Sequence, residues 1–160
     1  MTERIEELYG TARTDAGYMQ AALHVEQVSA LAYEVAADGP LEGAERAQAL
    51  RFAAHERQHA AALETMLFAL TVPVREHAGP ADLDALLPGL READRRTSLR
   101  GLAALEGAAI AGHQLMGRHL LALDALRTVA AVMAGGAQHL VALRDALGRT
   151  PLTFAYETGR

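Results

Sequence analysis

The 160-residue chain contains no cysteine, no lysine and no asparagine. Without cysteine, disulfide bonds, thiolate metal sites and cysteine nucleophiles are all excluded. The 15 cationic residues are therefore all arginine, and 20 acidic residues bring the formal net charge to −5 at pH 7. This balance argues against general nucleic-acid binding, which usually requires a basic face.

Long uncharged runs are scarce as well. The longest, residues 128–143, is shorter than a membrane-spanning helix and includes Gln138 and His139. The first ten residues, MTERIEELYG, lack the basic and then apolar order of a signal peptide. We therefore expect a soluble, cytoplasmic protein that does not interact with a membrane.

Alanine is abundant, with 35 copies in the chain. Because alanine is the best helix former and no segment shows strand-like alternation, the composition predicts an all-α fold. The bounds of four long helices follow from glycine, proline and capping residues. These predicted helices cover about residues 15–37, 41–70, 94–119 and 124–147, with Asp15 as the expected N-cap of the first.

The connection between the second and third predicted helices, residues 71–93, holds three prolines and one expected short helical turn near 81–87. Two short links and one long connection are typical of a four-helix bundle with a crossover. We expect one domain over residues 1–160, with a surface tail at 149–160.

Acidic and imidazole side chains interrupt the apolar faces of all four predicted helices. Glu26 and Glu106 each lie within an apolar stripe, and His59 and His139 follow them on the next helix. Both pairs are separated by 33 residues, so the two chain halves, about 15–70 and 94–148, superpose at an offset of 80. A repeated spacing is more specific than a single short motif, and it predicts an internal duplication of helical hairpins.

The second predicted helix also carries Glu56, three residues before His59 and therefore on the same helix face. Burying such groups is costly unless something pairs with them. Two facing hairpins would gather these side chains around one point, as in carboxylate-bridged two-metal bundles. Carboxylate and imidazole ligands suit iron, manganese or zinc.

Four segments carry a family resemblance: HVEQVSALAYE, AAHERQHAAALETML, ALEGAAIAGHQ and GAQHLVALRDALG. Together, and in this order, they resemble the ferritin-like superfamily, in particular small alanine-rich bacterial ferritin-like domain proteins of unassigned function. The ending TPLTFAYETG resembles the tails of such proteins. The resemblance covers about residues 15–158.

The resemblance implies five metal ligands: Glu26, Glu56, His59, Glu106 and His139. Glu26 and His59 would hold one ion, Glu106 and His139 the other, and Glu56 would bridge them. Iron is the implied metal, with manganese or zinc as alternatives, or no metal if the site is degenerate. Tyr33 would be a polar neighbour of the ligands.

One position departs from the family pattern, because the second bridging glutamate is replaced by Gly136. Glycine inside a helix costs about 1 kcal/mol relative to alanine, and Gly135 precedes it. One hypothesis is that the gap admits a water, an exogenous carboxylate, or His113 or Gln114. The alternative is drift after metal binding was lost.

The remaining histidines receive weaker assignments. His55 is expected at the edge of the core. His113 lies two turns, about 10 Å, beyond Glu106, too far to share the ion of that glutamate easily. His24, His77 and His119 are expected in loops or on the surface.

Three functions are compatible with these residues. The first is a metal-binding, di-iron-type oxidoreductase acting on dioxygen or peroxide, with metal ions as partners and no catalytic residue assigned. The second is a non-enzymatic bundle with a degenerate site that acts through its surface or as a homodimer. The third is a small-molecule pocket opened by Gly135 and Gly136. Iron storage is disfavoured because it requires a hollow cage.

Overall fold

A computed structural model describes residues 1–149, apart from the side chain of Thr2. This part of the chain forms six α-helices and no strand. The helices are α1 (Thr2–Gly10), α2 (Asp15–Asp38), α3 (Gly43–Ala69), α4 (Pro80–Leu86), α5 (Arg95–Gly117) and α6 (Leu123–Ala146), with a 3-10 helix at Leu90–Glu92. The prediction of an all-α fold is confirmed, whereas residues 150–160 of the expected tail lie outside the described residues.

Four long helices form the bundle as two hairpins. Helix α2 packs along α3, and α5 packs along α6. The hairpins meet where α2 contacts α5 and α3 contacts α6. The connection between α3 and α5 contains α4, which packs on α2, in agreement with the predicted crossover and its short helical turn.

The N-cap of α2 corrects one prediction. The Thr14 hydroxyl, and not Asp15, accepts the hydrogen bond from the Gly17 backbone N–H, at 3.1 Å. The Asp15 carboxylate instead accepts hydrogen bonds from the backbone N–H groups of Leu121 and Ala122. Threonine and aspartate are both good N-caps. Thr14 caps α2 here because the Asp15 carboxylate is engaged by the backbone of the loop before α6.

Helix α1 was not predicted. It buries Ile5 and Tyr9 completely against the bundle and contacts both α2 and α5. The Tyr9 ring lies over Gly112 of α5, where an added Cβ atom would come within 2.3 Å of the ring. Glycine at this position therefore allows α1 to pack closely on α5.

Helix α6 is, among the described helices, the one long and apolar enough to cross a membrane, with a mean hydropathy of 1.2 over its most apolar 18 residues. Its inner face packs against α3 and α5 and buries His139 and Leu140. The core helix of a bundle has the same length and composition, so this property is weak support for a membrane span.

We predict that Gly112→Ala destabilises the protein by about 1–3 kcal/mol, because the new methyl group forces the Tyr9 ring away from α5. Urea unfolding measures the loss, and faster tryptic cleavage at Arg13 reports detachment of α1. The matched control is Gly117→Ala in the same helix, where a Cβ atom meets nothing within 4 Å. Equal stability of the two variants would contradict the proposed packing role.

Candidate metal centre

Each bundle helix places at least one acidic or imidazole side chain in the same part of the core. These residues are Glu26 on α2, Glu56 and His59 on α3, Glu106 and His113 on α5, and His139 on α6. His59 keeps 18% of its side chain exposed, while the other five are buried. The structure thus brings together all five predicted ligands and adds His113.

The first group consists of Glu26, Glu56 and His59. The Nδ1 atom of His59 lies 3.0 Å from Glu26 Oε2 and 2.9 Å from Glu56 Oε2. One ligand atom from each of the three residues lies within 4.8 Å of the other two. This is a donor set that could hold one metal ion.

The second group consists of Glu56, Glu106 and His139. The Nδ1 atom of His139 lies 2.7 Å from Glu56 Oε1 and 3.1 Å from Glu106 Oε1. One ligand atom from each of these three residues also lies within 4.8 Å of the other two. Glu56 therefore belongs to both groups and turns a different oxygen toward each histidine.

The hydrogen bonds of Glu56 suit a metal-binding role. Its Oε1 atom is buried and makes no contact with hydrogen-bond geometry within the described residues, even though His139 Nδ1 is close. Buried carboxylate oxygens normally find a partner. An unpartnered oxygen between two acid–imidazole pairs fits a bridging cation, so the donor set is compatible with the metal ions that the sequence predicts.

The buried carboxylates of the cluster repel one another, so a nearby positive charge stabilises them. Burial and the charge of Glu56 raise the pKa of Glu26 well above its usual range, and the same two causes raise the pKa of Glu106 to about 7. Burial opposes ionisation of Glu56, but the close polar contacts of its carboxylate with Glu26, His139 and His59 outweigh it and hold its pKa well below the usual range. One carboxylate is thus ionised while its neighbours favour protons.

His139 supplies one of the compensating charges. Burial alone would lower its pKa, but the hydrogen bond to Glu106, the close approach of Glu56 and the charges of both carboxylates raise it to about 9. The imidazole is therefore a cation at neutral pH in the metal-free cluster. A divalent ion would displace such protons, because metal binding requires deprotonated carboxylates and neutral imidazole.

Side chains around the cluster fix the orientation of the ligands. The Tyr33 hydroxyl donates a hydrogen bond of 2.5 Å to Glu106 Oε1. His55, which is exposed, places its Nδ1 atom 3.1 Å from His139 Nε2, and Phe52 stacks on the His139 ring at 4.0 Å. Such outer contacts commonly fix the tautomer and ring plane of a ligating histidine.

The two adjacent glycines of α6 have separate roles. A Cβ atom at Gly135 would come within 2.6 Å of the His59 ring, and one at Gly136 would come within 3.0 Å of Glu106 Oε2. The ligand candidates His59 and Glu106 therefore lie in the space where one of the two hypotheses placed a water, an exogenous carboxylate, His113 or Gln114.

His113 approaches Glu26 and not Glu106. Its Nε2 atom lies 3.3 Å from Glu26 Oε1 across the interface of the two hairpins. Burial lowers the pKa of His113 to about 4, so the ring is neutral at neutral pH. The expectation that His113 does not share the position of Glu106 agrees with this geometry, but distance along its own helix could not reveal Glu26 as its neighbour.

The other three histidines lie away from the cluster. His24 is 3.7 Å from Asp82, His119 stacks on Tyr18, and His77 Nδ1 lies 2.7 Å from Gln27 Nε2. These contacts agree with the surface and loop positions expected for them.

The family model for the ferritin-like domain matches residues 14–149. The chain belongs to this family. The ferritin-like match covers α2 to α6 and leaves α1 outside it. Searches among curated proteins and among solved structures found no match. The predicted superfamily and the all-α ferritin-like bundle are thus confirmed, and the candidate ligand groups make metal binding the property to test.

We predict that the metal-free protein loses stability as the pH rises from about 6.5 to about 9, since the opposite contribution of His113, whose pKa burial lowers, is complete by about pH 6.5. Folding raises the pKa of Glu106 from 4.5 to about 7 and the pKa of His139 from 6.5 to about 9, so both bind protons more tightly in the folded protein. The stabilisation is therefore present while they are protonated and is lost as the pH passes 7 and then 9. Thermal unfolding in chelator measures this, and His139→Gln should flatten the upper half. A melting temperature that rises steadily over this range would refute the assignment.

We also predict that Gly135→Ala expels the His59 ring from the cluster, because the methyl group and the ring cannot occupy the same space. Diethylpyrocarbonate modification, mapped by mass spectrometry, should label His59 several times faster in the variant. The control is Gly101→Ala, where the new Cβ atom makes an ordinary contact of 3.5 Å with Leu87. Equal labelling of His59 in all three proteins would show that the ring has room to stay.

Proposed function

We propose that this ferritin-like protein binds two divalent metal ions, with iron as the expected metal, and that it acts as an oxidoreductase toward dioxygen or peroxide. The observation that carries the proposal is the position of Glu56, whose two oxygens face two separate acid–imidazole pairs. A carboxylate in that position is suited to bridge two ions, with Glu26 and His59 on one and Glu106 and His139 on the other.

The residues of the chain would do three things at such a centre. The buried acids and imidazoles would bind the ions in a core from which most water is excluded. Tyr33 would hold Glu106 in place through its hydroxyl group. The exposed His55, next to His139, would give protons a hydrogen-bonded route between solvent and the cluster. A bound pair of redox-active ions would supply the electrons for reduction of dioxygen or peroxide.

A second function is favoured by one observation. The cluster already compensates much of its own charge without a metal ion, because His139 lies close to both Glu56 and Glu106. The resemblance also implies a second bridging glutamate where this chain has Gly136. A non-enzymatic bundle with a degenerate site would have this arrangement. The two functions differ in whether the purified chain takes up metal.

We expect anaerobic titration with Fe(II) or Co(II) to give two ions per chain. Glu56→Gln should lower the binding affinity for both ions by more than about tenfold, because both groups share Glu56. The matched control is Glu64→Gln on the same helix, a residue that belongs to neither group. Equilibrium dialysis with metal analysis measures stoichiometry and affinity.

Activity is tested on the same samples. The iron-loaded wild-type chain, exposed to air or peroxide, should oxidise its two Fe(II) ions faster than free Fe(II) in the same buffer. Glu56→Gln should lose this acceleration and Glu64→Gln should keep it. Absence of metal uptake by the wild-type chain after reconstitution would support the degenerate scaffold and overturn the proposal.

A further inference from the structure

Two residues at equivalent positions of the chain halves reach across the bundle. Tyr33 and His113 are 80 residues apart, the same offset that relates Glu26 to Glu106. Tyr33 contacts Glu106 of the opposite half, and His113 contacts Glu26 of the opposite half. Equivalent positions thus approach equivalent acids, but with different chemistry, since a phenol donates a hydrogen bond whereas an imidazole nitrogen can bind a metal ion.

The contact of His113 differs from that of Tyr33 in quality as well. Tyr33 makes a short hydrogen bond, whereas the Nε2 atom of His113 is buried and has no hydrogen-bond partner among the described residues. Its approach to Glu26 Oε1, at 3.3 Å, does not have the geometry of a hydrogen bond. A buried polar atom without a partner requires an explanation, and a role as a metal ligand is one.

Helix α1 holds His113 in this position. The Tyr9 ring packs edge-on against the His113 ring, with centroids 5.9 Å apart, in the space left free by Gly112. The Tyr9 hydroxyl is also buried without a hydrogen-bond partner within the described part of the chain. Two rings in edge-on contact therefore each carry a buried polar atom without a hydrogen-bond partner among the described residues.

We propose that His113 is a fourth ligand of the ion bound by Glu26, Glu56 and His59, so that the two ion positions are unequal. Its Nε2 atom already approaches Glu26 but lies outside the 4.8 Å group of the other three residues, so ligation requires a small movement of the ring toward them. One position then has two carboxylates and two imidazoles, and the other has two carboxylates and one imidazole. This inference rests on the proposed two-metal function. The resemblance implies a fourth carboxylate at position 136, where this chain has glycine, and the proposed fourth ligand is instead a neutral nitrogen at the opposite end of the cluster.

The additional imidazole ligand determines which of the two positions binds metal first. Four protein ligands hold an ion more firmly than three, so the first equivalent of metal occupies the His59–His113 position. Imidazole-rich sites favour zinc, cobalt and iron over magnesium and calcium. The second ion, beside Glu106 and Tyr33, has fewer protein ligands and is the more easily exchanged.

The experiment is a Co(II) titration of the full chain under anaerobic conditions, followed by visible absorption. The wild-type chain should bind two ions with unequal affinities. His113→Phe retains a ring next to Tyr9. This variant should bind the higher-affinity ion at least about tenfold more weakly and leave the affinity for the other ion unchanged. Tyr33→Phe, at the equivalent position, is the matched control and should affect mainly the weaker ion.

A second measurement uses only the wild-type chain and does not depend on folding of a variant. X-ray absorption of the protein with one equivalent of Zn(II) counts imidazole ligands, and the expected count is two. A count of one, or unchanged affinities in a folded His113→Phe protein, would overturn the role of His113 while leaving two-metal binding intact. A wild-type chain that binds no ion overturns the proposed function and this inference together.

Discussion

Repulsion among three buried carboxylates is the constraint on which the rest of this bundle depends. Glu26, Glu56 and Glu106 meet in a core of low dielectric constant, where uncompensated charge is very costly. Protons and the imidazole of His139 compensate them in the metal-free chain, and His59 lies within hydrogen-bond distance of Glu26. Divalent cations would do so more completely, and the same arrangement serves both states because the donor atoms already converge.

Local packing follows from this requirement. The Tyr33 hydroxyl donates a hydrogen bond to Glu106, and Phe52 of α3 stacks on the His139 ring of α6. At the other end of the cluster, α1 inserts Tyr9 over Gly112 and closes the core next to His113. The two ends of the cluster therefore carry different chemistry at equivalent positions of the chain halves, Tyr33 and His113.

Much of this arrangement can be read from the sequence because it depends on helix periodicity. Alanine-rich segments bounded by glycine and proline define the long helices, and a 33-residue spacing places Glu26 with His59 on paired helices. What the sequence conceals depends on contacts across the bundle. Helix α1 is short, and its Tyr9 is buried only because Gly112, far along the chain, leaves room. The pairing of His113 with Glu26 is equally invisible along a single helix.

The His59 ring lies directly against the backbone of α6, in the volume that any residue other than glycine at position 135 would occupy. An imidazole from one half of the chain therefore acts as a spacer that sets the separation of α3 and α6. Positions 59 and 135 are coupled as a consequence. Evolution can enlarge the side chain at 135 only by giving up the histidine, so the two positions are expected to vary together among related sequences.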